Sequence, residues 1–85
     1  MWMSNVLIMV NRNNVDHNGL ADVSAAVADC GARVIEVDER NFAIEANVAT
    51  RELPTITAME GVVYVRSVFN YFCDAAAEME EPVAA

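Results

Sequence analysis

The sequence predicts a small α+β domain in the order strand, helix, strand, strand, helix, strand. Two segments carry apolar residues at helical spacing and end at a glycine, and four others show the apolar runs or alternation typical of strands. The chain has 85 residues, of which 55% are hydrophobic, enough for one packed domain. We assign residues 1–72 to this domain and residues 73–85 to an acidic, Ala/Glu-rich C-terminal tail.

The first strand is predicted over residues 5–10, because residues 6–10 form the longest apolar run in the chain. Such a strand is expected to be central and covered on both faces, or to lie at a dimer contact. An Asn-rich loop follows and is closed by Gly19. The first helix is then predicted over residues 19–30, with Gly31 ending it. Its apolar stripe consists of Leu20, Val23, Val27 and Cys30.

A hairpin is predicted next, with strands over residues 33–38 and 42–48. Only residues 39–41 separate these strands, so their connection has to be a tight turn. The second strand alternates cleanly, which predicts one face toward the core and one toward solvent. Its inward residues are Phe42, Ile44, Ala46 and Val48, and its outward residues are Ala43, Glu45 and Asn47.

The second helix is predicted over residues 50–60 and ends at Gly61. Proline is tolerated only in the first turn of a helix, so Pro54 predicts that this helix starts late or irregularly. The last strand is predicted over residues 62–72. Alternation places four of its side chains on one side of the sheet, namely Val63, Val65, Phe69 and Tyr71.

The connections then determine a topology. Right-handed crossovers put both helices on one face of the sheet. The simplest arrangement is a ferredoxin-like βαββαβ sandwich, with a four-stranded antiparallel sheet in the order 4-1-3-2. Strands 1 and 3 are central in this arrangement, which suits their apolar character. Strands 2 and 4 are edges and carry the charged residues Glu36, Asp38 and Arg66.

The charge balance excludes several partner classes. There are 13 acidic residues and 5 basic ones, all arginine, for a net charge of −8. Nucleic acid and anionic membranes both require a cationic face, so we expect neither as a partner.

No apolar run approaches the ~20 residues that span a bilayer, and residues 1–5 do not resemble a secretory signal, so a cytoplasmic location is predicted.

No motif predicts catalysis. His17 beside Asp16 could titrate near neutral pH or orient a ligand, but a solvated loop or capping role is favoured. The serines have no neighbouring base, and no phosphate loop or metal-spaced cluster is visible. We therefore predict no enzymatic activity, no cofactor and no metal.

The two cysteines, Cys30 and Cys73, fit neither a dense disulfide framework nor a zinc site. Both fall at the same end of the predicted sandwich, so a disulfide or redox pair is geometrically conceivable. Two thiols without a redox role are the favoured interpretation.

Three segments of the chain together resemble a known family. They are residues 28–34, residues 41–46 (Asn-Phe-Ala-Ile-Glu-Ala) and residues 61–66 (Gly-Val-Val-Tyr-Val-Arg). They resemble the subtilisin propeptide and proteinase-inhibitor family. The resemblance implies a protein-binding module that acts as a protease inhibitor or an intramolecular chaperone. In that family the segment after the last strand lies in the active-site cleft of the protease. The partner-binding residues that this implies here are Phe69, Asn70, Tyr71 and Phe72.

Four aromatic residues are predicted to cluster near one edge of the sheet, because strands 1 and 4 are neighbours. They are Trp2, Phe69, Tyr71 and Phe72. The cluster is either the rim of the core or a contact patch for a protein partner or a second copy in a homodimer.

Residues 16–20 and 23–31 resemble the ligand loop and first helix of ACT domains. This second resemblance implies an amino-acid-sensing regulatory domain, in which Asp16, Asn18 and Gly19 contact the amine of a ligand at a dimer interface.

A third hypothesis rests on charge alone and is a small acidic decoy, for example a viral one, that blocks a basic surface of a partner. It ranks last because residues 73–85 hold four acids and no base, which is half of the net charge.

Overall fold

The computed structural model describes residues 1–12 and 19–73, and its element order confirms the predicted α+β class. The elements are β1 (Trp2–Val10), α1 (Leu20–Asp29), β2 (Arg33–Asp38), β3 (Ala43–Ala49), a 3-10 turn (Thr50–Glu52), α2 (Leu53–Thr57) and β4 (Val62–Phe72). β1 begins at Trp2, earlier than predicted, because its first residues pair with the far end of β4.

The four strands form one sheet in which all neighbours are antiparallel, in the order β2-β3-β1-β4. Counted from the opposite edge, this order is β4-β1-β3-β2, so the sheet has the strand neighbours expected from the sequence. β1 and β3 are the central strands, and β2 and β4 are the edges. The most apolar strand of the chain therefore lies between two partners.

The core lies between the sheet and the two helices. Its buried side chains are Val6, Ile8 and Val10 of β1, Leu20, Val23 and Val27 of α1, Ile44, Ala46 and Val48 of β3, and Ile56 of α2. Because alternate residues of a strand point to opposite faces, these positions place both helices on the same side of the sheet. We call this the helix side and the opposite surface the open face.

The turn between β2 and β3 differs from the prediction at Phe42. This residue has φ 51°, so it belongs to the turn, and β3 begins at Ala43. The Phe42 ring still packs against the core, as predicted. Ala43 is opposite Met9 on the open face, the side predicted for it, although it is only 3% exposed. The Asp38 carboxylate orders the turn by accepting hydrogen bonds from Arg40 N at 3.1 Å and from Asn41 N at 3.2 Å and Nδ2 at 2.8 Å.

The second helix is shorter than predicted, and its start is irregular as Pro54 indicates. A 3-10 turn precedes α2, and Pro54 lies in the first turn of the five-residue helix. Ile56 is the buried contact of α2, with Leu53 and Met59 half-buried beside the core. A helix this short owes its stability to packing rather than to its own hydrogen bonds.

β4 departs from simple alternation at two places. Val62 is opposite Val10 and Tyr64 is opposite Met9, so Val63 is an extra residue in the ladder. A second irregularity leaves Val68 extra, between Ser67 opposite Val6 and Phe69 opposite Asn5. Each such β-bulge shifts the following side chains to the other face of the sheet.

The second bulge corrects the predicted orientation of β4. Val65 is opposite the buried Ile8 and faces the helix side. Phe69 and Tyr71 are opposite Asn5 and Met3, which lie on the open face. The prediction that Val65, Phe69 and Tyr71 share one side is therefore wrong, because Val68 interrupts the period of two.

Candidate binding surface and terminal cleft

The open face of the sheet is left uncovered by the elements of residues 1–12 and 19–73. β1 presents its odd-numbered side chains there, all half-buried by their cross-strand neighbours. The register adds residues from the other three strands. The face consists of Met3, Asn5, Leu7 and Met9 of β1, Ala43, Glu45, Asn47 and Ala49 of β3, Tyr64, Arg66, Phe69 and Tyr71 of β4, and Arg33, Glu36 and Asp38 of β2.

An aromatic pair stands at one end of this face. The ring centroids of Phe69 and Tyr71 are 5.6 Å apart with a tilt of 31°. Phe69 is 57% exposed, and Tyr71 is half-buried. The Val68 bulge puts both rings on the open face together with Tyr64 and Arg66 of the same strand. These four side chains line an edge that has an apolar strand beside it.

Hydrogen bonds fix the position of Tyr71. Its hydroxyl accepts from Asn47 Nδ2 at 3.0 Å and donates to Asn47 Oδ1 at 3.2 Å. Asn47 Nδ2 also donates to Asn5 Oδ1 at 3.2 Å. Because β1 separates β4 from β3 by two strand spacings of about 4.8 Å each, the Tyr71 side chain has to extend across β1 to reach Asn47.

The four predicted partner-binding residues are divided between the two sides of the sheet. Phe69 and Tyr71 lie on the open face, whereas Asn70 and Phe72 alternate to the helix side. Phe72 packs edge-on against Trp2, with ring centroids 5.5 Å apart. The four aromatic residues thus lie at the same end of β1 and β4, as predicted, but as two pairs on opposite sides.

Asn70 is exposed, but its side chain bonds to a buried hydroxyl. The fully buried Ser4 hydroxyl donates to Asn70 Oδ1 at 2.8 Å, and its oxygen is 2.7 Å from Thr50 Oγ1. Ser67 donates to the same Asn70 oxygen at 2.7 Å. Since a hydroxyl carries one proton, Ser4 accepts from Thr50. This arrangement joins three elements of the fold and gives Asn70 a structural role.

A cleft of about 590 Å³ opens where the two ends of the described chain meet. We call it the terminal cleft. Its lining residues are Met1, Met3, Cys30, Gly31, Arg33, Asn47, Ala49, Arg51, Glu52, Tyr71 and Cys73. It is continuous with the open face, because Met3, Asn47 and Tyr71 belong to both.

Both cysteines line the terminal cleft, so they lie at the same end of the fold, as predicted. They are not joined by a disulfide, and both are half-buried. Cys30 falls just after α1 rather than within it, and its N–H donates to Val27 O at 3.1 Å. Gly31 follows with φ 90°, as expected for a residue that ends a helix.

A second cleft, of about 640 Å³, lies at the other end of the open face between β1 and its neighbours. Leu7, Met9 and Tyr64 provide its apolar surface, and Arg66 lies at its rim. The Arg12 guanidinium beside it stands 5.1 Å from the centre of the Phe42 ring, a cation–π contact, and donates to Arg40 O at 2.9 Å.

The residues of the amino-acid-sensing hypothesis are only partly described. Asp16, His17 and Asn18 lie outside the described residues. Gly19 is buried, with φ 49°, and its carbonyl accepts from Val23 N at 3.0 Å as α1 begins. The described part of that segment therefore shows a helix start.

Sequence reasoning missed the hydrogen-bonded asparagines and the cleft. The available signal was Asn5 and Asn47, polar residues with low strand propensity in the two central strands. The cleft had no signal in the sequence, because Arg33 and Arg51 are brought together only by the fold.

The chain matches no family model, no curated protein and no solved structure. Within residues 1–12 and 19–73, no three His, Cys, Asp or Glu side chains are grouped to hold a metal ion. The described helices are too short to cross a bilayer.

Proposed function

We propose that the chain is a non-catalytic protein-binding module with a ferredoxin-like fold, whose partner packs on the open face. The observation that carries the proposal is the Phe69–Tyr71 pair, which lies on a sheet face that no element of residues 1–12 and 19–73 covers, rather than in the core. Aromatic side chains are enriched in protein interfaces, where they contribute much of the binding energy. Exposed apolar patches on a small domain often mark an interaction site.

The composition of the face supports a protein partner. Met3, Leu7 and Met9 provide apolar side chains along β1, with Asn5 between Met3 and Leu7. Arg66 and Glu36 lie on the two edge strands, so the rim carries both signs of charge. A mixture of apolar and polar side chains with a polar rim is usual in non-obligate protein interfaces.

The hydrogen bonds of Tyr71 favour binding because they order the surface in advance. Asn47 holds the Tyr71 hydroxyl through two bonds, and Asn5 holds Asn47. A side chain that is already immobilised loses less conformational entropy when a partner covers it.

The resemblance of residues 41–46 and 61–66 to the subtilisin propeptide and inhibitor family supports one partner class. We propose a subtilisin-like serine protease, with the sheet packed on the protease and Phe69 to Phe72 near its active site. A panel of subtilisin-like proteases tests this, with inhibition and assisted refolding as the two measurements. If the chain neither inhibits nor helps to refold any member, the protease proposal is wrong.

Substitutions on and off the open face test whether inhibition depends on that face. Phe69→Asp should weaken inhibition about tenfold or more, because a buried hot spot contributes about 2 kcal/mol. Tyr71→Phe should have a smaller effect, about two- to fivefold, since it removes only the hydroxyl that Asn47 positions. The matched control is Ala25→Asp, which adds the same charge on the exposed side of α1 and should leave inhibition unchanged.

Sedimentation of the chain alone distinguishes the other candidate partner, a second copy. The proposal expects a monomer in the concentration range where inhibition occurs. A dimer that Phe69→Asp dissociates would assign the open face to self-association instead of to a protease.

A further inference from the structure

The terminal cleft is lined by two of the five arginines, Arg33 and Arg51, and Glu52 is the only acid among its described lining residues. The second cleft also has two arginines, with Asp38 as the acid among its described lining residues. Charge alone therefore does not distinguish the two clefts, and the path of the chain has to. Glu52 Oε2 is 3.8 Å from Arg51 Nε, whereas Arg33 has no ion pair within the part of the chain that the structure describes. The cleft is therefore suited to an anionic occupant.

The chain leaves the described fold at the wall of this cleft. Cys73 lines it and is held to the first residue by two hydrogen bonds, from Met1 N to Cys73 O at 2.8 Å and from Cys73 N to Met1 O at 2.7 Å. The next residue in the sequence is Asp74. The remaining acids of the tail are Glu78, Glu80 and Glu81.

We propose that residues 74–85 of the acidic tail bind in the terminal cleft of their own chain. Their four acids and no base complement the charge of Arg33 and Arg51. A single exposed ion pair is weak. A short tether, however, raises the local concentration of the tail to the millimolar range, so that several weak contacts together hold it in place.

Met3 and Tyr71 line the cleft and also belong to the open face, so the two surfaces are continuous. This inference rests on the cleft and the tail alone and holds whether or not the partner is a protease.

Cys30 provides a reporter in the full chain. It lines the cleft, is half-buried, and is far from the tail in sequence. The experiment measures the rate of Cys30 alkylation by the neutral reagent iodoacetamide, resolved from Cys73 by peptide mass spectrometry. Replacing the four tail acids with amides (Asp74→Asn, Glu78→Gln, Glu80→Gln, Glu81→Gln) should raise this rate about threefold by releasing the tail.

Salt should have the same effect in the unmodified chain, because 1 M salt reduces the screening length to about 3 Å. Arg33→Gln removes one of the two arginines of the cleft and should also release the tail. Release of the tail exposes Cys30 and raises its alkylation rate, which is the result that the proposal expects.

The matched control is Arg12→Gln at the other end of the sheet, which should leave the Cys30 rate unchanged. The methyl shift of Met3 provides a second measurement and should move with the neutral tail but not with Arg12→Gln. The proposal is overturned if neither the rate nor the shift responds to the neutral tail, or if Arg33→Gln slows alkylation. A response that disappears on dilution would place the tail in the cleft of a second copy and would equally overturn it.

Discussion

The helix side and the open face of β1 are built from alternate residues of one strand, but they are organised by different interactions. On the helix side Val6 and Ile8 are fully buried under α1 and α2. On the open face Leu7 and Met9 are half-buried, and the order comes from the hydrogen bonds that join Asn47 of β3 to Asn5 of β1 and Tyr71 of β4.

The difference shows how one small sheet can be stable and still offer a binding surface. Packing against helices removes apolar area from water and accounts for stability. A cross-strand polar contact adds little stability, but it holds exposed side chains in one arrangement. Substitutions on the two sides should therefore affect different properties.

The largest expected effect is at Ile8. Ile8→Ala should lower the free energy of unfolding by about 2–5 kcal/mol, because it leaves a cavity in the core cluster. Leu7→Ala on the open face should cost only about 1 kcal/mol, since Leu7 is half-buried. Urea denaturation of the two variants measures the contrast, and equal costs would show that the open face is covered in solution.

Ser4 is the polar exception on the helix side and comes next. Ser4→Ala should cost about 1–3 kcal/mol, because it deprives Asn70 and Thr50 of a buried partner. Ser67→Ala, which removes an exposed donor to the same Asn70 oxygen, is the matched control and should cost less. Thermal unfolding checks the order of the two, and the reverse order would contradict the network.

The bulge at Val68 determines which side chains of β4 lie on the open face and which on the helix side. Deletions within β4 therefore test the comparison of the two sides. Deletion of Val68 should keep Phe69 opposite Asn5 and cost less than about 1 kcal/mol, because the deleted residue is extra in the ladder. Deletion of Val65 should unfold the domain, because it removes a core contact and reverses the faces of the rest of β4. Circular dichroism and proton shifts of Tyr71 distinguish these results. Comparable losses in both variants would show that Val68 is not extra.

The smallest effect concerns the turn that precedes β3. The side-chain hydrogen bond from Asn41, followed by that from its backbone N–H, holds the pKa of Asp38 below its ordinary value. A depressed pKa contributes stability above the ordinary value of 3.8, and this contribution is lost as the pH falls below it. Asn41→Ala should thus lower the urea midpoint slightly at pH 7, and the difference from the unmodified chain should shrink by about pH 3. A difference that persists unchanged at pH 3 would exclude Asp38 as its cause.

Much of the fold could be predicted because its signals are local. The apolar run of β1, the helical stripe of α1 and the alternation of Ile44, Ala46 and Val48 each predict an element and its buried side. Pro54 likewise predicts the irregular start of α2. Phe42 could not be placed, because a left-handed conformation at a phenylalanine has no signal in its neighbours.

The candidate surface was predicted less well. The sequence singles out Phe69 and Tyr71 as contact residues, but it groups them with Asn70 and Phe72 along the chain. Which face each one occupies depends on the register against β1, and a bulge changes that register without a mark in the sequence. The terminal cleft depends on β2, β4 and the start of the chain coming together, which spacing along the chain does not report.

The sequence by itself determined the element order, the central position of β1 and the acidic character of the tail, because hydropathy and charge are properties of short segments. Only the tertiary structure decided which side chains of β4 face outward and which arginines share a cleft. Both outcomes depend on contacts between residues far apart in the chain. The pairing of Asn5 with Phe69 and the presence of Arg33 and Arg51 in one cleft are set by the packing of the whole sheet.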